Sequence, residues 1–272
     1  MKRYYSSPLP FQGQKRYFAR LVGELIDKRK DIKIVVDLFG GSGILSQIAI
    51  QTNNQLEVIY NDYDNFQSRL NQIPMTNDLL KELRCLLGPS DNKRIQDVQR
   101  SKVLDIIKRY ADSGYNDYIT LGANLLFSSK TATSFEELSS NSIYNNIKTN
   151  DYSAKDYLSG VTIVRKDYRE LFNEYRDNPN VLFLLDPPYL STDISTYNMG
   201  YWTLSQYLDV LLLTCPGINY IYFTSSKSHI IPLCDWIKKH PGASPLSDSR
   251  QYMREASINK QSVYQDYLLT NI

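Results

Sequence analysis

Hydrophobic positions along the chain follow two periods. Phe18, Leu21, Val22, Leu25 and Ile26 recur at helical spacing and predict an amphipathic helix over 16–30. Residues 33–39 form a short β-branched run that ends in glycines, the pattern of a buried strand. Ile44, Leu45, Ile48 and Ala49 return to helical spacing, and 56–60 reads as a second strand ending at Asn61-Asp62. Strand, glycine turn, helix and strand make a βαβ unit, which implies a parallel sheet. The pattern then turns helical over 65–72, 76–87, 93–111 and 115–127. From 128 to 150, 13 of 23 residues are Ser, Thr or Asn, the composition of a polar or mobile loop. Alternation resumes with strands at 161–164, 181–185 and 219–224 and helices at 203–214 and 229–239. Residues 263–269 read as a closing edge strand paired near 246–253. The expectation is an α/β, doubly wound sheet domain built from 1–65 and 159–272, interrupted by a mostly helical domain over 66–158.

Composition narrows the class. The chain has 272 residues, 42% hydrophobic and 22% charged, values of an ordinary globular protein with enough length for a substantial core. No apolar run reaches membrane-spanning length, and the N-terminus carries no apolar signal segment. Three cysteines without metal-like spacing and two histidines argue against a disulfide framework and against a metal site, so the reading is a reducing cytoplasm; a monomer is expected. Net charge is only +2, but it is clustered: residues 1–30 hold eight Lys/Arg against two acids, and 93–109 hold six against two. Such clusters suit phosphate contacts or solvated helix faces. Tyrosine reaches 22 residues, which suits base stacking or packing with a wet hydroxyl.

Three motifs carry chemistry. The loop Asp37-Leu-Phe-Gly-Gly-Ser-Gly43 lies where a strand turns into a helix, so its glycines allow close backbone approach to a ligand. The dinucleotide fingerprint G-x-G-x-x-G is absent. Asp62 ends the next strand, where a carboxylate can accept ribose hydroxyls. Loop and acid together favour an adenosine-type ligand without a pyrophosphate clamp, such as S-adenosylmethionine. Asp186-Pro187-Pro188-Tyr189 follows a buried apolar strand. Its two prolines stiffen the backbone and remove two N–H donors. The Asp186 carboxylate and the Pro187 carbonyl can then present acceptors to one planar NH₂, with Tyr189 offering a flat face to a base.

These residues resemble the Dam-type (D12) class of DNA adenine methyltransferases. Phe11-Gln-Gly-Gln-Lys15 looks like the lysine motif of that class, Asp37–Gly43 like its cofactor loop and Asp186–Tyr189 like its catalytic motif. Asp167-Tyr168 resembles the Asp-aromatic pair before the catalytic strand, and the motif order also matches. The resemblance implies a methyltransferase sheet that binds S-adenosylmethionine through Phe11, Gly13, Lys15, Asp37, Phe39, Gly40, Gly41, Gly43, Asp62, Tyr63, Asp167, Tyr168 and Asp186. Tyr63 and Tyr168 would sandwich the adenine ring of the cofactor. The target adenine would be flipped out of double-stranded DNA onto Tyr189. The insertion would recognise DNA, with Lys93, Arg94, Arg100 and Lys102 as candidate contacts. It lacks the class's Phe-Asn-x-Pro-Tyr-Gly segment, so no recognition sequence carries over. An RNA amino methyltransferase and a catalytically silent DNA-binding relative are the alternative readings.

Overall fold

The computed structural model describes residues 3–127, 130–189, 202–214, 216–239, 245–246, 248–259 and 262–272. Its strands form one sheet in the order β3-β2-β1-β4-β5-β7-β6. They are β1 (Ile34–Asp37), β2 (Glu57–Asn61), β3 (Thr162–Val164), β4 (Val181–Leu185), β5 (Asn219–Ser225), β6 (Arg250–Asn259) and β7 (Ser262–Thr270). The first five are parallel, with β1 pairing both β2 and β4. β7 runs antiparallel between β5 and β6. The C-terminal strand is therefore not the edge, and its ribbon partner is 250–259 rather than 246–253. Residue pattern reports which face of a strand is buried, but not how many strands flank it.

Side chains of successive strand residues point to opposite faces, and here both faces are covered. Val35, Leu182, Leu184, Ile221 and Phe223 join one core with helices α1 (Ala19–Lys28) and α2 (Ile44–Thr52). Val36, Val181, Phe183, Leu185, Tyr220 and Tyr222 join the other with α8 (Tyr168–Tyr175), α9 (Leu204–Leu212) and α10 (Ile230–Lys238). This double burial explains why β4 is five consecutive apolar residues.

Between β2 and β3 lie α3 (Phe66–Asn71), α4 (Ile73–Leu87), α5 (Asp97–Asp112), α6 (Tyr118–Leu125) and α7 (Phe135–Ser140). Their buried residues, including Leu79, Leu83, Val103, Ile107, Leu121 and Leu138, belong to the same apolar cluster as α1 and α2. The core is thus continuous from the sheet into these helices. The polar stretch is not a loose loop where it is described. Ser134 caps α7, and Leu138, Ile143 and Ile147 are buried. The serines and asparagines around them make caps and turns. Nor does α5 begin at residue 93. Lys93, Arg94 and Ile95 run beside 143–145, with Ile95 N–H donating to Ile143 O at 2.8 Å and Asn145 N–H to Lys93 O at 2.9 Å. No described helix is long and apolar enough to cross a membrane.

Candidate active site

Strand order reverses between β1 and β4, and a cleft opens outside the carboxyl ends of the strands at that point, where doubly wound sheets bind ligands. Its walls come from separate parts of the chain: Phe11, Gln12 and Gly13 before α1; Leu38–Gly41 after β1; Asn61, Tyr63 and Asp64 after β2; Asp167 and Tyr168 before α8; Asp186 and Pro188 after β4; and Trp202 with Gln206. Phe39 and Tyr168 pack with ring centres 5.1 Å apart, and Tyr168 stacks on Trp202 at 5.5 Å. The Trp202 indole N–H is buried and has no partner among the described residues. Asp167 caps α8, accepting the Arg169 N–H at 2.9 Å, and the paired Arg169 guanidinium holds its carboxyl below the usual range.

The glycine loop is fixed from several sides. The Tyr60 hydroxyl lies 2.7 Å from Gly41 O and 3.0 Å from Asp62 Oδ1, and the Tyr157 hydroxyl donates to Ser42 O at 2.8 Å. A Cβ at Gly40 would come within 2.2 Å of the Tyr60 ring. Gly43 holds φ +74° and a Cβ there would meet Leu158 at 2.9 Å. The requirement for glycine thus comes largely from packing against the protein itself. Gly40 and Gly41 also face the cleft, whereas Gly43 faces Leu158.

At the end of β2 the expected acid is already engaged. Asp62 accepts the N–H groups of Phe66 at 2.6 Å and Gln67 at 2.9 Å besides the contact with Tyr60, so its carboxylate ties down the start of α3. It does not belong to the cleft wall. Asp64, two residues on, does: its Oδ1 is buried without a partner among the described residues, and burial pushes its pKa up. Asn61 braces the same corner, donating to Leu38 O at 3.0 Å and Lys166 O at 2.9 Å.

At the end of β4, Asp186 forms an ion pair with Lys15 at 2.6 Å. Lys15 is 7% exposed, also donates to Gly13 O at 2.6 Å, and lies 5.3 Å from the centre of the Tyr189 ring. Lys15 is therefore placed on the catalytic motif rather than on the cofactor cleft. Burial raises the Asp186 pKa and Lys15 pulls it back down. An opposite charge at this range is worth about 1–3 pKa units. Lys15→Met should shift the acidic limb of the pH–rate profile to higher pH by about that amount, because Asp186 must be ionised to accept a proton-bearing nitrogen. An unmoved limb in kcat against pH would remove Lys15 from this role.

Asp37 is also off the cleft wall. It is fully buried below the loop, where its Oδ2 accepts the Ser46 hydroxyl at 2.7 Å. Burial raises its pKa to about 7, with Ser46 opposing and Asp186 adding to the rise. A carboxyl raised in the folded state favours folding when protonated. That stability is complete below the unfolded value of about 4 and is lost as pH rises through about 7. Melting temperatures should therefore fall between pH 5.5 and 8, and Asp37→Asn should shrink the fall. An equal fall in the variant would contradict the assignment.

Of the basic residues in the second cluster, Arg100 is committed internally, donating to the carbonyls of Ser139 and Asn141 at the C-terminal end of α7. Lys93 lies 3.7 Å from Asp91. Lys93 and Arg94 are exposed but precede α5, and Lys102 is exposed on it. The described residues contain no cluster of His, Cys, Asp and Glu arranged to hold a metal.

Of the cleft residues not expected from the sequence, Trp202, Gln206 and Asp64 lie outside the motifs, whereas Gln12 lies within the lysine motif and Asn61 at the strand end without being singled out. Asp64 alone had a readable signal, as the second acid after a strand end already marked by Asp62.

A parallel sheet with a cleft at its switch point, a glycine loop after β1 and Asp-Pro-Pro-Tyr after β4 is the S-adenosylmethionine-dependent methyltransferase fold. The chain belongs to the D12 class N6 adenine-specific DNA methyltransferase family, whose sequence profile matches residues 11–211. It is also 33% identical over 280 aligned positions to a Haemophilus influenzae protein named "Putative methyltransferase", covering 98% of this chain and 93% of that protein. The protein is accordingly a DNA adenine methyltransferase that uses a methyl donor.

Proposed function

We propose that the protein binds S-adenosylmethionine in the cleft and transfers its methyl group to the exocyclic amine of an adenine flipped out of duplex DNA. The observation that carries the reading is the placement of Asp186 on both the cleft wall and the catalytic motif, beside Tyr189. The cleft suits the cofactor. Asp64 Oδ1 is a buried acceptor in need of donors, as ribose hydroxyls are, and Tyr63, Phe39 and Tyr168 offer aromatic faces to an adenine ring. Bound there, S-adenosylmethionine supplies a methyl group on a sulfonium. Gly13, Gly40, Gly41 and Asp186 line the same cleft as Asp64, and the Gly13 carbonyl accepts from Lys15, the partner of Asp186.

The target amine has two hydrogens and a lone pair delocalised into the ring. Asp186 and the Pro187 carbonyl would accept the two hydrogens, drawing the nitrogen toward tetrahedral geometry and freeing the lone pair. Positive charge then develops on nitrogen, so both hydrogen bonds strengthen in the transition state relative to the ground state. Tyr189 would stack on the extruded base, repaying part of the few kcal/mol lost on flipping. Lys15 favours the ionised form of Asp186 against the effect of burial, and must share or release Oδ2 as the amine arrives. The five helices between β2 and β3 would form the DNA-recognition unit. With labelled cofactor and duplex DNA competing against an RNA duplex of the same sequence, label should enter DNA. Preferential labelling of the RNA would replace this substrate.

A further inference from the structure

We infer that the DNA strand carrying the target base is gripped by a basic–aromatic strip on the sheet domain, made by Arg16, Tyr17, Lys227, Arg254 and Tyr264. The inference rests on the methyltransferase reading and adds a contact surface outside the helical insertion. The strip starts at the catalytic motif. Lys15 lies 5.3 Å from the Tyr189 ring centre and 5.8 Å from that of Phe223. The next two residues turn outward: Tyr17 is 49% exposed, and Arg16 donates to its hydroxyl at 2.8 Å with the guanidinium 4.7 Å from the ring centre. Arg254, from β6, approaches the same ring at 4.2 Å. Lys227 lies 3.8 Å from the ring centre of Tyr264, whose hydroxyl is in electrostatic reach of Tyr17, Lys15 and Asp266.

The ribbon explains why these side chains meet. Arg254 pairs in register with Asp266, and Tyr252 with Leu268. Residues two apart share a face. The face that joins the core at Tyr252 and Leu268 therefore continues outward as Arg254, Asp266 and Tyr264, beside the segment preceding α1.

Two features favour nucleic acid. First, Arg16, Lys227 and Arg254 form no ion pair among the described residues; each is set on a ring instead. A stacked guanidinium keeps its in-plane N–H donors for phosphate oxygens, and the rings can carry bases. In the α5 region three of the six basic residues are engaged otherwise: Arg100 is bound to carbonyls, Arg109 to Glu82, and Lys93 lies near Asp91. Second, the strip is continuous with Tyr189, so a strand lying along it would deliver a base to Asp186. Asp266 is the acid within the strip, facing both Lys15 and Lys227.

The test is DNA binding by fluorescence anisotropy on a 25–30 base-pair duplex across a salt series. Each true phosphate contact contributes about 0.9 to the log–log salt slope. Arg16→Ala, Lys227→Ala and Arg254→Ala should each lower the slope by about one and weaken binding several-fold for every sequence. Arg254→Lys should keep the slope, and Lys28→Ala, at the far end of α1, should leave it unchanged. Cofactor affinity by calorimetry should hold in all of them, which excludes misfolding. Wild-type slopes in all three Ala variants, from a protein that methylates DNA, would overturn the strip and leave the activity standing. A wild-type protein that neither binds nor methylates DNA would overturn the reading beneath it.

Discussion

Asp186→Ala is expected to reduce methyl transfer by about 10²–10³-fold, since it removes one of two acceptors for the reacting amine and the only charged one in the motif. The structure adds a second consequence. Lys15, 7% exposed, would be left buried without its carboxylate partner, keeping only the Gly13 carbonyl. Breaking a buried pair on one side costs about 3–5 kcal/mol, and the 19% exposure of the Asp186 side chain points to the lower end. The single variant should therefore melt lower. The double variant Lys15→Met/Asp186→Ala should regain most of that stability and none of the activity. This separates a folding defect from a chemical one, because only the chemical defect survives the second substitution. Retained turnover in Asp186→Ala, measured with labelled cofactor, would remove Asp186 from the reaction.

The second large effect concerns the cofactor. Asp64→Asn should weaken S-adenosylmethionine binding by about 1.5–3 kcal/mol, or roughly 10–150-fold, as a charged acceptor for ribose hydroxyls is lost. The same change relieves an unpaired buried carboxylate, so the melting temperature should hold or rise. Asp62→Asn should behave in the opposite way. It weakens the tie to Phe66 and Gln67 at the start of α3, costing about 0.5–2 kcal/mol of stability, with any loss of affinity following from a displaced Tyr63-Asp64 turn. Calorimetry and thermal melting of both variants decide the matter. An unchanged dissociation constant in Asp64→Asn, with a weakened one in a fully stable Asp62→Asn, would return the ribose to Asp62.

The contrast between these two acids shows what a sequence makes legible. Motif residues that follow strands were readable because a run such as Val181–Leu185 fixes where the strand ends, and the next residues must then face the ligand side of the sheet. Which of two nearby carboxylates turns inward depends on free N–H groups at the start of α3 and on the Tyr60 hydroxyl, and spacing records neither. Lys15 was readable as a motif residue, but its partner lies 171 positions away in sequence and reaches it only through the folded sheet. Trp202 joins the aromatic wall for the same reason, by stacking on Tyr168. The β7 strand was legible as a strand and not as an interior one. The serines and asparagines of 130–150 read as loop because capping and disorder draw on the same residue types.

The most direct test of the central claim is nucleoside mass spectrometry of duplex DNA after incubation with the protein and methyl-labelled S-adenosylmethionine. The account predicts labelled N6-methyladenine, and none with Asp186→Ala. Label on cytosine, label confined to RNA, or no transfer by a protein that binds the cofactor would contradict it.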